Sequence, residues 1–191
     1  MISLSNVSVS FGDNKIIDNV CITLPSTGLV TFSGASGSGK TTLLRAILGL
    51  QKYTGIIETD RKITYSAVFQ ESCLLPWLTA VENVAVVCEI NDDNLEKARI
   101  LLSRVGLDEN DFDKLPGELS VGMARRVAAA RAVMIDADVL VLDEPFAGLD
   151  EDNISAVADL LLSRRDEMLI ILVTHVGDFS ADFDYKIGNN D

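Results

Sequence analysis

Apolar and polar residues alternate at the start of the chain, with Ile2, Leu4, Val7, Val9 and Phe11 apolar, and a turn at 12–14 leads into a second alternating stretch at 16–24. A period of two predicts a pair of antiparallel strands. Gly28–Ser33 (GLVTFS) reads as a buried strand that runs into a glycine-rich loop. At 41–50 the period changes: Leu44, Ile47 and Leu48 fall at helical spacing, and Gly49 is a plausible stop. Short strands are expected at 55–58 and 64–69. From 74 to 107 the pattern is helical: Thr79 and Glu82 form a capping box, Leu95, Ala98, Leu102 and Val105 share a face, and Gly106 terminates it. A helix at 121–134, a strand at 139–142, a helix at 152–165 and a strand at Leu169–Val173 complete the pattern. Strands alternating with helices predict an α/β fold with a mainly parallel sheet, preceded by N-terminal antiparallel strands and interrupted by a helical insertion.

The glycine-rich loop changes this from a fold to a chemistry. Gly34, Ala35, Ser36, Gly37, Ser38, Gly39, Lys40 and Thr41 spell GASGSGKT, a complete GxxxxGK[ST] phosphate-binding loop. Closely spaced glycines let successive backbone N–H groups turn inward around a phosphate, and the following helix adds its positive N-terminal end. Lys40 supplies a mobile point charge and Thr41 a magnesium ligand. A fold in P-loop NTPase style puts ligands at the carboxyl ends of its parallel strands. The strand in ADVLVLDEP, at 137–145, ends there in two carboxylates. Asp143 fits the magnesium-side carboxylate, and Glu144 is then free to orient or deprotonate the water that attacks a γ-phosphate. ATP and Mg²⁺ are the expected cofactors.

Bulk properties narrow the setting. A length of 191 residues suits a single domain over 1–191, with a helical subdomain at about 71–135. Apolar residues make up 48% and charged residues 24%, a soluble composition without a run long enough to span a membrane. The formal net charge of −13 opposes nucleic-acid binding, so no nucleic-acid partner is expected. The start, MISLSNVSVS, has no basic region followed by an apolar stretch, which predicts a cytoplasmic protein. Cys21, Cys73 and Cys88 form no metal spacing and are expected to be buried, reduced thiols.

Together these motifs resemble the ATP-binding subunit of an ABC transporter, over nearly the whole chain. The resemblance implies that Phe11 stacks on adenine and that Gln70 reaches magnesium and senses the γ-phosphate. It implies that His175, the only histidine, contacts the γ-phosphate as a switch, so that Glu144, His175 and Lys40 carry catalysis. It extends the ATP-binding stretch to Thr42 and makes Thr41, Gln70 and Asp143 the metal side. Ser120, Val121, Gly122 and Met123, within LSVGM, resemble the LSGGQ signature that binds ATP held by the opposite subunit. Val121 replaces a glycine there, and a β-branched residue resists positive φ. Asp150, in AGLD, matches a residue at the subunit interface, although Asp150 or Asp152 also suits the start of the next helix. VFQESCLLPWLTAVENV at 68–84, with Met123, is similar to nitrate, sulfonate and taurine importer ATPases. It makes Leu74, Leu75, Pro76, Trp77 and Leu78 candidate contacts to a permease.

The implied protein is a homodimer or paired ATPase subunit. Its partners are a membrane-spanning permease and a substrate-binding protein, and it sits peripherally on the inner face of the cell membrane. Little chain follows His175, so no C-terminal regulatory domain is expected. Two other readings are a nucleotide-binding regulatory module with weak hydrolysis, motivated by Val121, and a small P-loop kinase. The kinase would need an arginine-rich lid, whereas Arg125, Arg126 and Arg131 cluster behind the signature.

Overall fold

Alternation in the first 24 residues becomes a long hairpin in the computed structural model, which describes residues 1–177 and 179–188. Strand β1 (Ile2–Phe11) pairs antiparallel with β2 (Asn14–Leu24), and β4 (Thr54–Thr59) adds on the other side of β1. The apolar positions step from Leu4 to Val7 rather than by two. A register shift lies between them, where Asn6 takes φ 51° and its N–H meets Cys21 Sγ at 3.1 Å. Asparagine tolerates that left-handed geometry, so the inserted residue keeps Ile2, Leu4, Val7 and Val9 all on the buried face.

The second sheet is wholly parallel, in the order β5 (Tyr65–Val68), β6 (Val139–Asp143), β7 (Leu169–Val173), β3 (Gly28–Ser33), β8 (Phe183–Lys186). Every residue of β6 and β7 is buried. Their unbroken apolar runs follow from having both faces covered. Val139, Val141, Leu169 and Ile171 join the core shared with the antiparallel sheet and helix α1 (Lys40–Ile47). Leu140, Leu142, Ile170 and Leu172 face the other core, with the helices of the insertion. Each such side chain contributes about 1.5–3 kcal/mol by leaving water. At the entry to this sheet Asp138 accepts hydrogen bonds from Thr64 N, Thr64 Oγ1 and Arg61 Nη2 at 2.8, 2.7 and 2.6 Å, which hold its carboxyl down at about 2.

The helices of the insertion are α2 (Ala80–Ala85), α3 (Asp92–Arg104) and α4 (Val121–Ala132), and α5 (Glu151–Leu162) follows β6. Both halves of the Thr79–Glu82 capping box form, with Thr79 N donating to Glu82 Oε2 at 2.8 Å and Glu82 N to Thr79 Oγ1 at 3.3 Å. Ala98, Leu102 and Val105 are buried, and Gly106, at φ 73°, ends the α3 segment. Fully buried Asn83 satisfies the carbonyls of Leu75, Leu78 and Thr79 and accepts from Leu75 N, which fixes the loop ahead of α2.

One expectation needs correction, and one strand was missed. All three cysteines are exposed. Cys21 lies beside the Asn6 bulge, Cys73 in the loop after β5 and Cys88 just past α2, so chain position outweighed the usual burial of the residue type. Strand β8 escaped the sequence pattern because its four residues are mostly exposed. It is held through Asp184, which accepts from Thr31 Oγ1 at 2.6 Å and Ser33 Oγ at 2.9 Å, and through Asp182, which accepts from Leu29 N at 2.8 Å.

Candidate nucleotide site

The loop at 34–39 joins β3 to α1 and depends on backbone geometry that side chains forbid. Gly34 sits at φ 139°, and a Cβ there would lie 2.1 Å from the Ile187 carbonyl oxygen. Gly39, at φ 94°, is the N-cap of α1 and offers no side chain to its orphan N–H groups. A glycine-capped helix start with its first amides free of side-chain partners is suited to an anion. Lys40 is 7% exposed, and its Nζ donates to the Gly34 and Ala35 carbonyls at 2.9 Å each. Ala35, Ser36 and Gly37 are exposed, and Ser38 Oγ is buried with no hydrogen-bond partner.

Thr41 Oγ1 donates to Asp143 Oδ1 at 3.1 Å, joining the first turn of α1 to the end of β6. Asp143 is 3% exposed. Burial pushes its carboxyl up, opposed by the Thr41 hydrogen bond and the charges of Arg45 and Lys40. Gln70 lies just past β5, and a groove of about 360 Å³ is lined by Thr41, Arg45, Gln70 and Asp143 together. Hydroxyl, carboxylate and amide oxygens are hard donors that fit Mg²⁺, which uses few protein ligands and completes its shell with phosphate and water. Accordingly, no cluster of three His, Cys, Asp or Glu side chains that could cage a metal occurs among the described residues.

Beyond Asp143 the chain turns sharply. Glu144 adopts φ 52°, a costly geometry for a non-glycine residue, with its N–H held by the Val173 carbonyl at 2.8 Å. The turn aims its carboxylate at the end of β7, where Oε2 accepts from His175 N at 3.3 Å and Oε1 lies 3.5 Å from His175 Nε2. A strained acid and the only histidine thus meet at the carboxyl ends of adjacent strands.

Phe11 stands out from the sheet rather than in the core, at 54% exposure. It pairs with Asn14 at the end of the hairpin, and Ile16 and Ile17, further along β2, abut Gly39 of the phosphate loop. A groove of about 680 Å³ runs along Lys15, Ile16, Ile17 and Ser38.

The LSVGM segment lies at the start of α4. Ser120 caps that helix, accepting from Met123 N at 3.1 Å. Val121 is the first helical residue, is 71% exposed and has no positive φ, so the expected strain of a valine in a glycine conformation does not arise. Gly122 likewise lacks positive φ and packs near Leu149. Of the two acids weighed for the next helix start, Asp150 takes the N-cap of α5, accepting from Asn153 N at 2.9 Å. That bond and the Asn153 side chain lower its carboxyl.

Two of the three arginines behind the LSVGM segment bind backbone carbonyls. Arg126 donates to the Val105 and Gly106 carbonyls, and Arg131 to those of Ser72 and Cys73. These anchors were missed in the sequence, where the available signal was an arginine inside the apolar run VAAARA. Trp77, on the loop fixed by Asn83, is 70% exposed, and Leu74 packs against the core.

The family model for the ABC transporter matches residues 17–147. The chain belongs to the ABC transporter family. It is an ATP-binding subunit by that membership, and its relatives agree. It is 35% identical over 179 residues to the aliphatic sulfonates import ATP-binding protein SsuB 1 of Paracoccus denitrificans (strain Pd 1222), covering 91% of this chain and 72% of that one. It is 38% identical to SsuB 2 of Pseudomonas savastanoi pv. phaseolicola (strain 1448A / Race 6), covering 91% and 65% respectively. It is 37% identical to SsuB of Bacillus subtilis (strain 168), covering 88% and 69%. The chain therefore spans roughly two thirds of the length of these relatives. Among solved structures it is similar to the dimeric ATP-binding cassette MJ0796 in a post-hydrolysis state bound to ADP and Pi. That match has a TM-score of 0.83 and 28% identity and covers 92% of this chain and 88% of that one. The α/β fold with parallel and antiparallel sheets is that of the ABC ATPase cassettes.

Proposed function

We propose that this chain hydrolyses ATP as the motor of an ABC importer, its permease and substrate-binding protein being separate chains. The observation that carries the reading is the Glu144–His175 pair, set beside the Thr41–Asp143 hydrogen bond at the carboxyl ends of adjacent strands. The phosphates of ATP would lie on the amides of 34–41, with Lys40 leaving its two carbonyls to meet them, and adenine would stack on Phe11. Mg²⁺, held by Thr41, Gln70 and Asp143, would neutralise charge building on the phosphates. Glu144 orients a water whose oxygen forms a bond to the γ-phosphorus as the bond to the β,γ-bridging oxygen breaks. ADP leaves with that electron pair, and the water proton passes to Glu144 or the departing phosphate.

Ser120, Val121, Gly122 and Met123 are exposed or half-buried at the free end of a helix. They would complete the site of a second copy, with Asp150 near the dimer interface. The dimeric cassette cited above supports this assembly. We place the protein on the inner face of a membrane through its permease, by likeness to the importer ATP-binding relatives named above; no helix among the described residues is long and apolar enough to cross one. The relatives named above favour an organic sulfonate as the transported class, read by the other chains. The helices at about 71–135 would act as the subdomain that meets the permease, through 74–78.

Phosphate release from Mg-ATP tests the reading. Glu144→Gln is expected to lower turnover by about 10²–10⁴-fold while ATP binding persists. Unchanged turnover in that variant would remove Glu144 from catalysis.

A further inference from the structure

We infer that Arg131 is a positioning residue that couples the helix beginning at Ser120 to the loop carrying Gln70. This rests on the function proposed above, because it assigns a mechanical role within that site. Arg131 lies in the last turn of α4, and its guanidinium forks onto two consecutive carbonyls, donating from Nη2 to Ser72 at 2.7 Å and from Nη1 to Cys73 at 2.9 Å. The group is half-buried. Burial pushes its pKa down, and no carboxylate forms an ion pair with it among the described residues. A partly desolvated guanidinium that donates to two consecutive carbonyls at once holds them at a fixed distance and direction, which makes the fork a geometric constraint.

The loop it grips has reason to need one. Cys73 sits at φ 46°, a left-handed geometry that persists in a non-glycine residue only when its surroundings enforce it. On one side of Cys73 is Gln70, in the groove with Thr41 and Asp143. On the other, Asn83 pins Leu75 and Leu78. The loop is thus held at one end by α2 and in its middle by α4, while Gln70 has its position set by both. Helix α4 has 12 residues, about 18 Å at the helical rise, and buries Val127, Ala128, Ala129 and Ala130. It moves as a rod, so a displacement of its Ser120 end is transmitted by Arg131 to Gln70.

Arg131→Lys separates this role from simple anchoring, because a single ammonium keeps the charge but not the fork. A misplacement of about 1 Å can cost up to about 10²-fold in turnover. The expected result is a fall in kcat of at least about tenfold, with KM for ATP within about twofold, since Arg131 touches no nucleotide-binding residue. Amide hydrogen exchange should accelerate at 70–75 and stay unchanged at 139–143. Arg131→Gln, which buries no charge, should give the same pattern and serves if the lysine variant does not fold. Unchanged kcat with faster exchange at 70–75 would reduce the fork to a structural anchor and overturn the inference, as would unchanged exchange. Exchange needs no turnover. If the unmodified protein hydrolyses no ATP, the proposed function fails and the coupling fails with it; if it hydrolyses ATP and the variants leave kcat or exchange unchanged, only the inference about Arg131 fails.

Discussion

The phosphate loop and the LSVGM segment are both glycine-containing helix starts, yet they are built in opposite ways. At the first, glycine caps α1, Lys40 is buried, and Thr41 reaches across to Asp143 on another element. At the second, Ser120 satisfies its own helix, and Val121 projects into solvent. The hydrogen bond at one helix start reaches a strand of another element, whereas the one at the other stays within its own helix. Under the proposed function, the difference teaches that one half of the ATP site is assembled by this chain's own fold, while the other half would be presented to a second copy.

The strongest way to break the first half is Asp143→Asn. Loss of the carboxylate should abolish magnesium-dependent hydrolysis, a fall of at least about 10²-fold, measured as phosphate release at saturating Mg-ATP. The same change should raise the melting temperature of the nucleotide-free protein. Because burial raises the Asp143 carboxyl pKa in the fold, its ionised form works against folding. That penalty is absent below the ordinary carboxylate range and grows as pH rises from there through the raised folded value. The variant's advantage should therefore appear at neutral pH and vanish in acid. An equal gain at low pH would mean that packing, not charge, is responsible.

A milder substitution sharpens the second half. Since Val121 is helical and unstrained, Val121→Gly should mainly cost helix stability, at most about 0.5 kcal/mol. That corresponds to roughly 1–2 °C in melting temperature for a chain of this size. Its effect on turnover should stay below the roughly tenfold that 1.4 kcal/mol of transition-state stabilisation represents. A tenfold or greater rise in turnover would mean that the working signature needs a glycine conformation absent from this helix start.

Local pattern carried much of this. The phosphate loop, the acidic strand end, the capping box of α2 and the buried runs of β6 and β7 each follow from neighbouring residues obeying one geometric rule. The resemblance of LSVGM, Gln70 and His175 to a known family supplied roles that spacing alone did not. Features set by distant partners were harder to read. Strand β8 is short, mostly exposed and held to β3 through Asp182 and Asp184, and the exposure of the cysteines depends on where three different loops and strands turn. The Arg131 fork joins residues 58 positions apart along the chain. The valine in the signature was misjudged because positive φ was assumed from the glycine it replaces, whereas the helix begins at that residue.

The claim that one ATP site is shared by two copies is tested most directly by mixing two defective proteins. Lys40→Ala lacks the phosphate-loop charge, and Val121→Arg blocks the exposed helix start, so each alone should hydrolyse little ATP. In a mixed dimer, the intact phosphate loop of one copy meets the intact Ser120–Val121–Gly122 of the other. Recovery of phosphate release on mixing, with dimers verified by sedimentation, is the expected result. Dimers that form without any recovery would contradict a shared site and return catalysis to the single chain.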